Sequence, residues 1–183
     1  MTDLKQILVP IALTTDKTSQ EINRNIADAL KDAGYTVVLS DYSRPWGGFN
    51  QLDNKDADRF VEEFFPGLSP EEARLGNSDC ELSPKILLVA PEQRLSWQYH
   101  DRRAERWAYI TDGGYFKSMD DTQGAAHNAV AGEVVQFEKG ERHRLVGAEG
   151  HYVIVAEIWQ HVYPSELSDE SDIVRLEDDY SRG

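Results

Sequence analysis

The sequence has 183 residues, with 19 Lys and Arg against 33 Asp and Glu, a net charge of −14, and 40% apolar and 10% aromatic residues. That length suits one domain with a substantial core, and the apolar content excludes a disordered chain. The charge excludes nucleic acid and an anionic membrane surface as long-range partners.

The single cysteine, Cys80, rules out an intrachain disulfide framework. The first ten residues hold too short an apolar run for a secretory signal, and no segment approaches membrane-spanning length. The expected location is therefore cytoplasmic, with no membrane partner.

In chain order, the apolar run Ile7–Leu13 contains Pro10, which fits an edge strand or an arm. Thr18 or Ser19 caps a helix through Ile22, Ile26, Ala29 and Leu30; Gly34 ends it, and Tyr35–Leu39 reads as a strand. Residues 1–40 thus form a small helix–strand appendage, and residues 41–183 the main domain. In Arg44-Pro45-Trp46-Gly47-Gly48-Phe49 a rigid Pro-Trp unit holds an arginine beside two glycines, which suits either a plain turn or an anion contact. A helix from Lys55 to Phe65 breaks at Pro66-Gly67, and Ser69-Pro70 starts another.

From Ser83 the pattern turns to strands: Lys85–Ala90, Leu95–His100, Glu105–Ile110, Gly114–Lys117, Glu133–Phe137, His143–Val146 and Tyr152–Val162. Their short spacing predicts a mainly β antiparallel sandwich or barrel. In the last strand Val153, Val155, Glu157, Trp159 and His161 share one face, so an acid interrupts a largely apolar row. The tail from Ser168 to Gly183 is strongly acidic, yet Ile173, Val174, Leu176 and Tyr180 offer docking points.

The densest chemistry lies in Ser96–Trp107. Gln98 and His100 share one face of a strand, and a polar turn at Asp101–Ala104 precedes Glu105. A second strand folded back beside the first brings Gln98, His100 and Glu105 to one point, part of a metal site; the plainer alternative is a salt-bridged hairpin with a surface histidine. Gly132-x5-Glu138-x-Gly140-x2-His143 supplies a further imidazole. In isolation His143 reads as an ordinary histidine; together with the first stretch it completes a four-ligand set.

These residues carry a resemblance. Gln-x-His-x4-Glu, followed by the glycine-turn–histidine motif, resembles the two cupin motifs, with Gln98 where many cupins place a histidine. Arg-Pro-Trp-Gly at 44–47, Leu-Ser-Trp-Gln-Tyr-His at 95–100, Arg-Ala-Glu-x-Trp at 103–107, His-Arg-Leu at 143–145 and Asp-Ile-Val-Arg-Leu-Glu-Asp-Asp-Tyr at 172–180 make residues 41–182 similar to type II phosphomannose isomerases. The sequence departs from the pattern at Glu138, Gly147, Asp101 and Arg102, and in a long loop from Phe116 to Ala131. No departure removes a ligand. The resemblance implies a double-stranded β-helix (cupin, jelly-roll) barrel, a divalent metal, zinc, on Gln98, His100, Glu105 and His143, and a homodimer paired through the sheets. The N/O ligand set also admits Fe, Mn, Co or Ni. The implied activity is metal-dependent aldose–ketose isomerisation of a sugar phosphate, mannose 6-phosphate to fructose 6-phosphate.

That chemistry needs cations for a phosphate, and Arg44, Lys85, Arg103 and Arg144 are the substrate-binding candidates. Glu157 is a catalytic candidate because burial raises a carboxyl pKa toward a useful range. Arg175, in the family-like tail that closes over the barrel mouth, is the other. A bound water, His161 or a tail acid competes with Glu157 for the role of base. Two further functions compete with the isomerase: a non-catalytic cupin that senses a sugar phosphate, and an isomerase of another sugar phosphate such as a heptose phosphate.

Overall fold

The computed structural model describes residues 3–180, so the last three residues of the acidic tail lie outside the described part. The chain opens with α1, Leu4–Ala12, rather than the expected edge strand. Asp3 caps it by accepting from the Lys5 backbone N–H at 3.0 Å, and Leu4, Leu8 and Ala12, four apart, bury one face. Pro10 removes one helical hydrogen bond, and the buried stripe with its cap outweighs that loss. α2, Ser19–Asp32, begins as expected: Thr18 Oγ1 accepts from Glu21 N at 3.2 Å, and Glu21 accepts from Thr18 N at 2.7 Å. Gly34, at φ +89, lets the chain leave the helix. α3, Ala57–Phe64, follows a 3-10 turn at Asn54–Asp56, and α4 is a single turn at Pro70–Ala73 capped by Ser69.

The strands are β1 Val37–Asp41, β2 Gly47–Leu52, β3 Lys85–Val89, β4 Trp97–Tyr99, β5 Ala104–Tyr109, β6 Gly113–Ser118, β7 His127–Ala129, β8 Val134–Phe137, β9 Arg142–Val146, β10 Val153–Gln160 and β11 Val174–Glu177. They form two antiparallel sheets, ordered β1-β2-β3-β10-β5-β8 and β11-β4-β9-β6-β7. The mainly β two-sheet barrel expected from the sequence is therefore present. β7 lies inside the stretch read as a long loop. Its three residues show no alternation, and its place comes from pairing with β6, where Tyr115 stacks on His127 at 4.9 Å.

The larger sheet is buried on both faces, which explains the unbroken apolar runs in β3 and β10. Ile86, Leu88, Ala108, Ile154, Ala156 and Ile158 face outward into a core with Leu8, Ile22, Ile26, Phe60 and Phe64 of the helices. Leu87, Val89, Trp107, Tyr109, Val153 and Val155 face inward, toward Leu145 and Tyr115 of the smaller sheet. Residues 3–40 are built into this arrangement: α1 and α2 cover the outer face, and β1 extends the sheet edge. No helix among the described residues is long and apolar enough to cross a membrane.

Gly47 fixes the entry of β2 beside β3. Its φ is +150, and a Cβ there would lie 1.9 Å from the Leu88 carbonyl oxygen. Gly47→Ala is expected to destabilise the fold by about 3 kcal/mol or more, the range of strained backbone clashes. The effect is read as a lowered midpoint in urea unfolding. An unshifted midpoint would mean that β2 and β3 do not pair in this register.

Candidate functional site

Strand register sets the site. In the larger sheet Glu105 of β5 stands opposite Trp159 of β10, and Glu157 lies between Lys85 of β3 and Trp107 of β5. In the smaller sheet Gln98 of β4 stands between Arg175 of β11 and His143 of β9. β4 and β5 do not form the hairpin anticipated from the sequence. They belong to opposite sheets, and the turn at 101–103 carries the chain across the barrel. The convergence of His100 and Glu105 is real, but it spans the barrel interior.

His100, Glu105 and His143 are buried, and their ligand atoms all lie within 4.8 Å of one another. His100 Nε2 is 3.1 Å from Glu105 Oε1, and His143 Nε2 is 3.3 Å from Glu105 Oε2. The other ring nitrogens fix the tautomers. His100 Nδ1 lies 2.5 Å from the Asp172 carbonyl oxygen, and His143 Nδ1 lies 2.9 Å from that of Glu141. Carbonyls only accept, so each Nδ1 carries a proton and Nε2 is the ring atom that each histidine turns toward the carboxylate. Burial holds the His100 pKa below its usual value. Burial alone would raise the pKa of Glu105, but its interactions with the His100 ring and the Arg103 guanidinium outweigh burial and keep the carboxyl well below the usual range.

Among the described residues Glu105 Oε2 and His143 Nε2 have no hydrogen-bond partner, and a cation between the ring nitrogens and the carboxylate would satisfy both. Two imidazoles and a carboxylate thus fit a divalent ion such as zinc. The carbonyls of Asp172 and Glu141 orient the rings from behind. Gln98 stands next to His143 in the ladder, and its Oε1 accepts from Ser96 Oγ at 2.5 Å.

Gln98, Glu105 and Glu157 open onto a pocket of about 100 Å³, whose walls also include Arg44, Lys85, Arg103 and Arg175. Larger clefts lie elsewhere, about 630 Å³ among the N-terminal helices and about 390 Å³ at the opposite end of the barrel strands, and neither contains the ligand cluster. Glu157 is 7% exposed. Its Oε2 accepts from Trp107 Nε1 at 3.0 Å and its Oε1 from Trp159 Nε1 at 3.3 Å. Burial pushes its pKa up to about 7, reinforced by the charge of Glu105 and opposed by Lys85 and Arg103.

The cations divide by role. Arg103 is buried; its Nε donates to Glu105 Oε1 at 2.9 Å, its NH2 lies 3.3 Å from His100 Nε2, and its guanidinium lies 3.8 Å from the Trp159 ring centroid. It is part of the ligand network as much as of the pocket wall. Lys85 Nζ lies 4.2 Å from the Trp159 ring centroid and pairs with Glu170 at 2.5 Å. Arg44 pairs with Asp41 at 2.8 Å and stands at the pocket rim with Arg175.

Arg144 is not brought to the pocket. Strand alternation turns it away from His143. Its Nε donates to the Leu95 carbonyl at 2.6 Å, and it pairs with Asp179 at 3.3 Å and Glu177 at 3.5 Å, so it fastens the tail. His161, the rival base, is buried beyond the end of β10 and does not line the pocket.

Sequence reasoning missed Asp172, whose carboxylate accepts from the backbone N–H groups of Asp101 and Arg102 at 2.9 and 3.1 Å while its carbonyl orients His100. It also missed Ser96 and Glu170. Asp172 opens one of the motifs read from the sequence, but nothing in that motif says that its partners lie seventy residues upstream.

No family model matches the sequence, and neither does any curated protein. Solved structures do resemble the fold. The capsular polysaccharide assembling protein CapF from Staphylococcus aureus is 13% identical, covering 95% of this chain and 45% of that one, with a TM-score of 0.52. A variant of Bacillus subtilis oxalate decarboxylase is 13% identical over 75% of this chain and 30% of that one, at 0.51. A cupin 2 conserved barrel domain protein from Salinispora arenicola is 22% identical over 43% of this chain and 62% of that one, at 0.37. The chain spans less than two thirds of the length of each of these structures. The likeness to the first two shows a shared architecture: the chain has the cupin fold.

Proposed function

We propose that the protein is a metal-dependent aldose–ketose isomerase of sugar phosphates, and that it interconverts mannose 6-phosphate and fructose 6-phosphate. The observation that carries this reading is one pocket in which the buried carboxylate of Glu157 meets the ligand Glu105, with Arg44, Lys85, Arg103 and Arg175 around them. A divalent ion held by His100, Glu105 and His143, with Gln98 adjacent, would supply Lewis-acid stabilisation of charge on the carbonyl oxygen.

The chain's own residues do the rest. The pocket cations hold the phosphate, with Arg44 and Arg175 at the rim and Lys85 deeper. Glu157, ionised, takes the proton from C2. The C–H electron pair becomes the C1–C2 double bond of the enediol, and a proton passes from O2 to O1. Glu157 then returns its proton to C1 as the C2 carbonyl forms. The indoles of Trp107 and Trp159 hold the two carboxylate oxygens in place for both transfers. A pKa of about 7 suits a group that must both accept and release a proton near neutrality.

The test is a panel of hexose and heptose phosphates offered to metal-loaded and chelated protein. Turnover of mannose 6-phosphate that is lost on chelation supports the reading. Sugar-phosphate binding without turnover of any member would replace it with a sensor, and turnover of a heptose phosphate alone would change the substrate.

A further inference from the structure

Among the four cations of the pocket wall, Lys85 is held in an unusual way. Its side chain is 6% exposed, yet its ion-pair partner, Glu170, is 67% exposed and comes from the segment after β10. Lys85 also lies against Phe49 at 5.6 Å and Trp159 at 4.2 Å from the ring centroids, so its ammonium is an oriented donor at the pocket floor. The surrounding segment is anchored independently. Asp172, 5% exposed, binds the 101–102 backbone, and Ser168 Oγ accepts from Arg103 NH1 at 2.8 Å. Asp169 pairs with Arg102 at 3.2 Å, and Glu166 pairs with Lys139 at 3.4 Å. Of these acids, Glu170 alone lines the pocket. Its exposed side chain can leave Lys85 by a rotamer change while the anchors remain in place.

The pocket measures about 100 Å³ with Glu170 and Ile173 among its walls. Small-molecule sites run to about 300 Å³ and more, so a ligand must displace part of this wall.

We propose that Lys85 is the subsite for the anionic group of the substrate and that Glu170 is its built-in competitor, occupying in the free protein the place that a phosphate oxygen takes in the complex. Glu170 then sets the affinity of the anion subsite. A ligand gains the Lys85 contact only by displacing a carboxylate already in place, a cost common to every anion that a dianionic phosphate, the stronger partner of an ammonium, is best able to offset. This inference rests on the sugar-phosphate reading for the identity of the ligand, and on the Lys85–Glu170 geometry for the competition.

The experiment measures binding of inorganic phosphate and of acetate by calorimetry at fixed ionic strength, using the full chain, Glu170→Gln and Glu166→Gln. Both substitutions remove one negative charge from the same segment, and Glu166 faces Lys139 instead of the pocket. Phosphate is expected to bind Glu170→Gln about tenfold more tightly than the unsubstituted chain, as for loss of a close charged competitor, with Glu166→Gln unchanged. Acetate should gain by at most the same factor as phosphate, since each must displace the same Glu170 carboxylate to reach Lys85. In a Lys85→Met background the Glu170→Gln gain should vanish. Equal affinities in Glu170→Gln and Glu166→Gln, weaker binding in Glu170→Gln, or no phosphate binding in any variant would overturn the inference. A clear Glu170→Gln gain in a protein that isomerises no sugar phosphate would leave it standing and remove the proposed reaction.

Discussion

Glu157→Gln is expected to lower kcat for mannose 6-phosphate by about 10²- to 10⁴-fold, the contribution of a general base, with little change in phosphate affinity. The amide keeps the volume and an acceptor for the Trp107 indole, so packing is preserved. In the unsubstituted protein, kcat/KM should rise with pH to a plateau, with an inflection near the Glu157 pKa of about 7, and the variant should lose that limb.

The same substitution carries a stability sign. The folded pKa lies above the carboxyl's ordinary 4.5. Between these values the folded state therefore binds more protons than the unfolded one. The stability contribution is complete below pH 4.5 and is lost as pH rises through about 7. Glu157→Gln should therefore be more stable than the metal-free parent at pH 8, by on the order of 3 kcal/mol, and equal to it at pH 4. Denaturant unfolding of both proteins at the two pH values measures this. A stability loss at pH 8 would mean that the carboxylate is a structural ion-pair partner and not a base kept near neutrality by burial.

The second large effect concerns the ligands. His143→Asn should weaken divalent-metal affinity by about 100-fold or more, because loss of a group merely orienting a ligand already costs about 10- to 100-fold. Asparagine is chosen over alanine because the His143 ring packs against Phe137 at 4.7 Å and Trp107 at 5.4 Å between centroids, and an empty space there would confound folding with binding. Competition against a chromogenic chelator reads the affinity directly, and unchanged affinity would mean that the metal lies elsewhere. Glu105→Gln should show the same loss and in addition remove the nearer charged partner of the Arg103 guanidinium, leaving Asp172 at 3.8 Å.

Much of this arrangement was legible in the residues. Alternation along β10 placed Glu157 among Val153, Val155 and Trp159 on one face, which is the barrel interior. The spacing of Gln98, His100 and Glu105, with His143 after a glycine turn, marked a ligand set, three members of which meet within 4.8 Å. The route of convergence was not legible. Spacing of two and five residues is compatible with a hairpin, and only the barrel's sheet order puts β4 and β5 in opposite sheets.

Arg144 shows the limit of motif reasoning. It adjoins the candidate ligand His143 in sequence, and for that reason alternation sends it to the other face, where acidic tail residues hold it. The same ion pairs, with Arg94 and Asp179 at 2.5 Å, explain how a tail of disordered composition docks as β11 on β4. At the N-terminus Pro10 points to an edge strand, but the four-residue spacing of Leu4, Leu8 and Ala12 decides for a helix. Asp172 and Glu170 act across long sequence separations, through bonds that no local pattern encodes.

In the proposed reaction Glu157 and the His100–Glu105–His143 cluster act together in proton transfer on a sugar phosphate. The most direct measurement is NMR of mannose 6-phosphate incubated in D2O with metal-loaded protein. Fructose 6-phosphate is expected from the parent protein, with deuterium at C1 in those turnovers in which the Glu157 proton exchanges with solvent before its return, and none is expected from Glu157→Gln. Unchanged mannose 6-phosphate with the parent protein, or equal conversion by Glu157→Gln, would contradict the proposed reaction.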